Sequence, residues 1–164
     1  MGGDLWEKMA GLLHKEAQIY SDLVVLGRKK QEALVEGSLS DLEKVVRAEQ
    51  ALIGTAARVE EERWRLQEQL ACALGKKAAE LRISELIDSV EEPIRSSLES
   101  SKNSILESTR EMARLNEENS SLIQQSLSYV NFMLSAMTSR TGGPYDREGD
   151  RRTSSPVSLM DSKA

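Results

Sequence analysis

Residues 5–34 read LWEKMAGLLHKEAQIYSDLVVLGRKKQEAL. Within this stretch Leu5, Leu12, Ile19, Leu26 and Ala33 recur every seven residues, Met9 and Leu23 occupy interleaved positions, and Trp6, Leu13, Tyr20 and Leu34 form an adjacent stripe. That spacing gathers the apolar side chains on one broad face of a helix. Gly37 is expected to end it, and Ser40 followed three residues later by Glu43 reads as a capping box that opens a second helix. So short a turn makes the two helices an antiparallel hairpin.

The second helix repeats the pattern with Val45, Leu52, Val59, Leu66 and Ala73, and with Glu49, Ala56, Arg63 and Leu70 between them. Glu49 and Arg63 interrupt this seam. Either they meet partners on a neighbouring helix, or they mark the seam's edge and lay only their stems on the core. Gly75 breaks the pattern, Ser84 reads as the cap of a short piece through Glu85, Leu86 and Ile87, and Pro93 fixes a new start or a kink, so residues 75–92 form a joint. A third helix is predicted from about residue 93 to about 138, with Ile94, Leu98, Ile105, Met112, Leu115, Leu122, Tyr129, Met133 and Ala136 along its seam. Ser101, Ser108, Asn119 and Ser126 dilute that seam, and Thr141-Gly142-Gly143-Pro144 stops the helix. The expectation is an all-α protein: an elongated antiparallel helical bundle of three coiled-coil-like helices with a short connecting helix. Residues 1–138 form the helical domain, and residues 139–164, rich in Arg, Asp, Ser and Pro, form a mobile tail with too little apolar surface to offset its ordering entropy.

Composition agrees with long helices and thin seams. The 164 residues are 39% hydrophobic but only 4% aromatic, and the three Pro all fall at or after Pro93. The formal charge is −5, with the excess acidity in residues 84–137, where four Lys/Arg stand against nine Asp/Glu. Nucleic-acid binding needs clustered cations, and the single short run Arg28, Lys29, Lys30 reads as a solvated helix face. Cys72 stands alone, which excludes an internal disulfide and suits a reducing compartment, with the thiol as a small packing residue. The N-terminal residues lack a secretory signal, no run reaches the ~18 apolar residues of a membrane span, and Trp6 stands where a myristoylation pattern wants Ser or Thr. A cytoplasmic protein is expected. His14 lies off the apolar stripes, Cys72 has no His nearby, and no phosphate-cradling Gly loop or metal-spaced set is present, so neither an enzyme nor a cofactor or metal site is expected.

The third helix changes character along its length. Beside the main seam runs a stripe of Arg95, Glu99, Lys102, Leu106, Thr109, Ala113, Asn116 and Ser120, which then becomes Ile123, Leu127, Val130, Leu134 and Met137. It turns from mostly polar to wholly apolar, with Phe132 close by. At 1.5 Å per residue, a first helix of about 33 residues and a third of about 46 differ in length by roughly 20 Å. The unmatched portion falls near residues 125–138. An apolar surface exposed there is a partner site or an oligomer contact, unless the 76–90 piece folds back and covers it.

Several motifs in this chain resemble the FlgN family of flagellar export chaperones. They are Leu115-Asn116, Asn119, Leu122-Ile123, Ser126-Leu127, Tyr129-Val130 and Phe132, then Tyr145-Asp146 and Gly149 after a Gly-containing break. In the first half, Gln31 to Gly37, Leu42, Glu49-Gln50, Leu52-Ile53 and Arg63 are similar to the same family. The resemblance covers about residues 5–149; the Ser-rich run from Ser96 to Ser104 and the tail after Asp150 follow no family pattern. It implies a cytoplasmic chaperone of the flagellar type III export pathway that holds the hook-filament junction proteins FlgK and FlgL soluble before secretion. Its C-terminal helix would capture a helical C-terminal segment of the substrate through Leu122, Ile123, Leu127, Val130, Phe132, Leu134 and Met137. An aromatic residue near the C-terminus, here Tyr145, would touch the export gate. Two other readings of the same apolar stripe are a homo-oligomeric coiled-coil adaptor and a membrane-surface helix, the latter opposed by Glu117 and Glu118 where cations would be needed.

Overall fold

The computed structural model describes residues 2–77, 79 and 82–140. It contains four helices, α1 (Gly2–Glu36), α2 (Leu39–Ala73), α3 (Ile83–Asp88) and α4 (Ile94–Arg140), and no strand among the described residues. The all-α expectation holds. The Thr141–Pro144 stop and the tail from residue 141 onward lie outside the described residues. The chain divides into two units, residues 1–128 and residues 129–164.

In the first unit α1 and α2 form the antiparallel hairpin, and its turn is tighter than the capping box at Ser40 and Glu43 would make it. Gly37 takes a φ of +69°, the left-handed conformation that costs glycine little. Ser38 N–H then donates to Ala33 O at 3.0 Å and Gly37 N–H to Leu34 O at 3.4 Å, so the last carbonyls of α1 are satisfied. Ser38 is the cap of α2: its side chain accepts from Asp41 N–H at 3.4 Å and donates to Asp41 Oδ2 at 2.7 Å. Ser38 and Asp41 thus fill the roles expected of Ser40 and Glu43, because the left-handed glycine reverses the chain earlier than that pair requires. Lys44, then Ser38, hold the Asp41 carboxyl below its ordinary value. Replacing Ser38 with Ala is expected to cost about 1 kcal/mol, read as a lowered urea midpoint, whereas Ser40→Ala leaves the midpoint within error.

The main apolar cluster joins Met9, Ala10 and Leu13 of α1, Leu66, Leu70 and Ala71 of α2, Leu86 and Ile87 of α3, Val90, and Leu98 of α4. Here the short α3 works as a plug. It sits against the start of α1 and the end of α2, so Leu86, Ile87 and Val90 are taken up in the core of the first unit, with Ile83 packed against it. Gly75, with φ of +67°, ends α2 as Gly37 ends α1, through Lys76 N–H to Ala71 O at 2.9 Å. Arg95 donates to the carbonyls of Ile87 and Asp88, fixing the end of α3 to the start of α4. A second, smaller cluster of Ile19, Leu23, Ala56 and Val59 lies further along the hairpin, with Met112 of α4 packed against it.

Because Leu98 packs beside Met9 and Leu13 while Asn119 bonds to Gly27, the part of α4 in the first unit runs parallel to α1 and antiparallel to α2. Gly27 admits the close approach: a Cβ there would meet Leu115 Cδ1 at 3.2 Å. Glu49 and Arg63 do face partners. Lys30 donates to both Glu49 oxygens at 2.7 and 2.8 Å, and Arg63 Nε lies 2.9 Å from Glu16 Oε2. Cys72, expected to pack, is exposed instead, on the outer side of the last turn of α2.

Candidate functional site

The last turns of α4 carry the expected apolar residues, and each is placed by helical geometry. In the first unit Leu122 is half-buried, while Ile123, ~100° further around the helix, is 42% exposed and Leu127 is 58% exposed. In the second unit Val130, Phe132, Leu134 and Met137 are all at least half exposed, with Phe132 at 69%. Tyr145 lies outside the described residues.

Two more residues of the second unit belong with them. Tyr129 and Met133, expected to continue the packed seam, are 65% and 42% exposed. At about 100° per residue, Phe132, Ala136, Tyr129, Met133, Met137, Val130 and Leu134 then span an arc of roughly 200°, more than half the helix circumference. Phe132 forms one edge and Leu134 the other, with about 160° between Phe132 and Val130 measured the short way around. The candidate residues of the second unit are therefore a broad face with Phe132 on its far flank rather than a single line. The remaining strip is Asn131, Ser135 and Thr138. Ser135 Oγ donates to Asn131 O at 2.9 Å and Thr138 Oγ1 to Leu134 O at 3.0 Å, so these hydroxyls are turned back onto the helix itself.

The sequence signal that marks this region is the absence of charge: no Asp, Glu, Lys, Arg or His stands between Glu118 and Arg140. Below that limit the helix is densely charged. Arg114 donates to both Glu111 and Glu118, and Arg28 of α1 reaches Glu111 at 3.1 Å. Hydrogen bonds from Arg114, then Arg28, hold the Glu111 carboxyl down at about 2, and Gln31 leads the groups that hold Glu118 below its usual value. Both carboxylates stay ionised at any physiological pH. A contact made on the uncharged end is thus apolar in chemistry.

Chemistry of other kinds finds little purchase among the described residues. No group of three or more His, Cys, Asp or Glu converges as metal ligands, and His14 is exposed on α1. An open groove of about 580 Å³ between α1 and α4 is lined by Arg28, Arg110 and Arg114 together with Glu107 and Glu111, which largely neutralise one another. No described helix is long and apolar enough to cross a membrane.

Compared with known proteins, residues 1–153 match the family described as FlgN protein. No curated protein and no solved structure matches the chain.

Proposed function

We propose, since the chain belongs to the FlgN family of flagellar export chaperones, that it binds the hook-filament junction proteins FlgK and FlgL through the end of α4. The observation that carries this reading is the broad, uncharged apolar face of the second unit, with Val130, Phe132, Leu134 and Met137 all at least half exposed; in the first unit Ile123 and Leu127 are exposed as well. An apolar helical face left in water is costly, and a partner helix with its own apolar stripe relieves both surfaces at once. A filament protein before assembly offers such a stripe, because its terminal segments have not yet met their neighbours. Held on α4, the segment is kept soluble in the cytoplasm until the export apparatus takes it. Met133 and Met137, unbranched and polarisable, suit a face that accepts two related partners. The work is binding, with no bond made or broken. Tyr145 is the residue we propose for the contact with the export gate, on the resemblance of Tyr145-Asp146 to the family's closing motif.

Co-expression of the full chain with the C-terminal segments of FlgK and of FlgL tests the reading. Each segment is expected to co-purify with the chain as a complex that survives gel filtration. Recovery of the chain as a stable self-oligomer, with neither segment attached, overturns it in favour of a coiled-coil adaptor.

A further inference from the structure

The two halves of α4 that lie along the hairpin are attached by different chemistry. From Ile94 to Ile105 the contacts are apolar: Leu98 is fully buried in the ten-residue cluster, with Ile94 and Ile105 packed against it. From Ser108 to Leu122 the apolar contacts thin to Leu115 and Met112, and polar ones stand beside them. Arg28 meets Glu111 at 3.1 Å, Gln31 donates to Glu118 at 2.7 Å, and the Asn119 amide donates to Gly27 O at 3.0 Å. Asn119 is only 2% exposed, yet its Oδ1 has no hydrogen-bond partner. Beneath this stretch a cavity of about 120 Å³ opens among Leu23, Lys30, Glu49, Ile53, Met112 and Leu115.

We propose that residues 108–122 of α4 form a releasable strap, latched to α1 through polar contacts and Asn119, while residues 94–105 anchor the helix in the apolar core. The latch bonds have good replacements in water, since every donor and acceptor in them regains a solvent partner on opening, and the unpaired Asn119 oxygen gains one. Lifting the strap uncovers Leu115 and Met112 at an apolar cost, but separating the Leu98 cluster uncovers ten buried residues with no polar compensation. The cavity means that fewer dispersion contacts are lost when the strap lifts. Opening therefore proceeds locally, without unfolding the hairpin. On the reading of α4 as the capturing helix, it adds Met112 and Leu115 to the face already offered by Ile123 and Leu127.

Thiol labelling separates this device from ordinary fraying, because Leu98 and Leu115 are equally inaccessible, at 0% and 1%. In a full-length Cys72→Ser background, Leu115→Cys and Leu98→Cys are each exposed to an aromatic disulfide reagent under native conditions, with rates normalised to each variant's measured unfolding equilibrium. The Leu115→Cys thiol is expected to react at least ten times faster. Adding Glu111→Gln and Glu118→Gln is expected to speed labelling of the Leu115→Cys variant several-fold and leave the Leu98→Cys rate unchanged. Asn119→Leu, which removes the latch bond to Gly27 O at similar side-chain volume, is expected to speed it as well. Equal normalised rates at the two positions, or identical responses of both to the Gln substitutions, overturn the strap. None of these readouts depends on FlgK or FlgL, so a failed capture experiment and a failed strap are distinguishable.

Discussion

Replacing Leu127 and Val130 together with Asp is expected to abolish capture of the junction-protein segments while leaving the far-ultraviolet circular dichroism and the urea midpoint of the chain nearly unchanged. Both side chains are at least half exposed, 58% for Leu127 and 50% for Val130, so neither substitution removes packing from the bundle. The effect falls on the complex. Each lost apolar contact is worth roughly 1.5–3 kcal/mol when fully buried. Each new carboxylate must also be desolvated without a partner, since no cation lies between Glu118 and Arg140 to receive it. Even at the low end the two positions together cost about 5 kcal/mol, a loss of more than a thousand-fold in affinity. Isothermal titration of each variant with the FlgK and FlgL segments reads it directly. Unchanged affinity removes the end of α4 as the binding face, whereas a variant that has lost helix content says nothing of the face and is replaced by Leu127→Gln with Val130→Gln. A second control is Ser135→Asp, on the polar strip, which is expected to change affinity less than tenfold.

Much of the framework behind this expectation is legible in residue spacing alone. The heptads from Leu5 to Ala33 and from Val45 to Leu70 define both hairpin helices, and Gly37 and Gly75 mark their ends, because glycine alone takes the left-handed conformation at little cost. The cap of α2 is ambiguous in sequence for a physical reason. Ser38 with Asp41 and Ser40 with Glu43 satisfy the same local pattern, and the choice rests on where the chain bends after Gly37, a backbone property that neither pair encodes. Spacing also leaves Glu49 and Arg63 unassigned, because their partners Lys30 and Glu16 lie on the opposite helix. Tyr129 and Met133 depart from the expected seam because heptad position identifies a seam but not whether anything fills it. Exposure at 65% for Tyr129 shows that the seam continues in sequence beyond the residues that pack on it. The Asn119 bond to Gly27 O is hidden altogether, since it depends on a backbone carbonyl ninety-two residues away.

Removing the Arg63 side chain as Arg63→Leu is expected to destabilise the hairpin more than any single truncation of its exposed charges. Glu16 is 5% exposed and Arg63 Nε sits 2.9 Å from its Oε2, out of hydrogen-bond alignment, while Arg63 Nη1 donates to Gln67 Oε1 at 3.3 Å. Close by, Tyr20 donates to Glu60 at 2.9 Å, and burial together with that carboxylate pushes the Tyr20 hydroxyl up to about 12. Leucine at position 63 leaves the Glu16 carboxylate buried beside Glu60 with no cation, at a cost of about 3 kcal/mol near neutral pH. Acid relieves that cost. Burial already raises the Glu16 pKa above its ordinary 4.5 in the folded chain, against the pull of Arg63. Between 4.5 and the folded value the native state holds a proton that the unfolded state lacks, so Glu16's contribution to stability grows as pH falls through that window. Without Arg63 the folded value climbs further and the window widens. The Arg63→Leu variant should therefore sit well below the parent in urea midpoint at pH 8 and approach it at pH 5; a gap that widens in acid, or no gap at pH 8, refutes the account. The double variant Glu16→Met with Arg63→Met should match or exceed the parent at both pH values, because a well-packed apolar pair carries no desolvation cost. What the natural pair supplies instead is register. The spacing of fourteen positions from Glu16 to Lys30 on α1 is matched by the spacing of fourteen from Glu49 to Arg63 on α2, with the signs exchanged between the helices. A slip of one heptad sets Glu16 against Ala56 and Arg63 against Met9, burying both charges on apolar partners, so the double Met variant is the one in which a slipped hairpin becomes tolerable and cross-links between α1 and α2 should lose their single register.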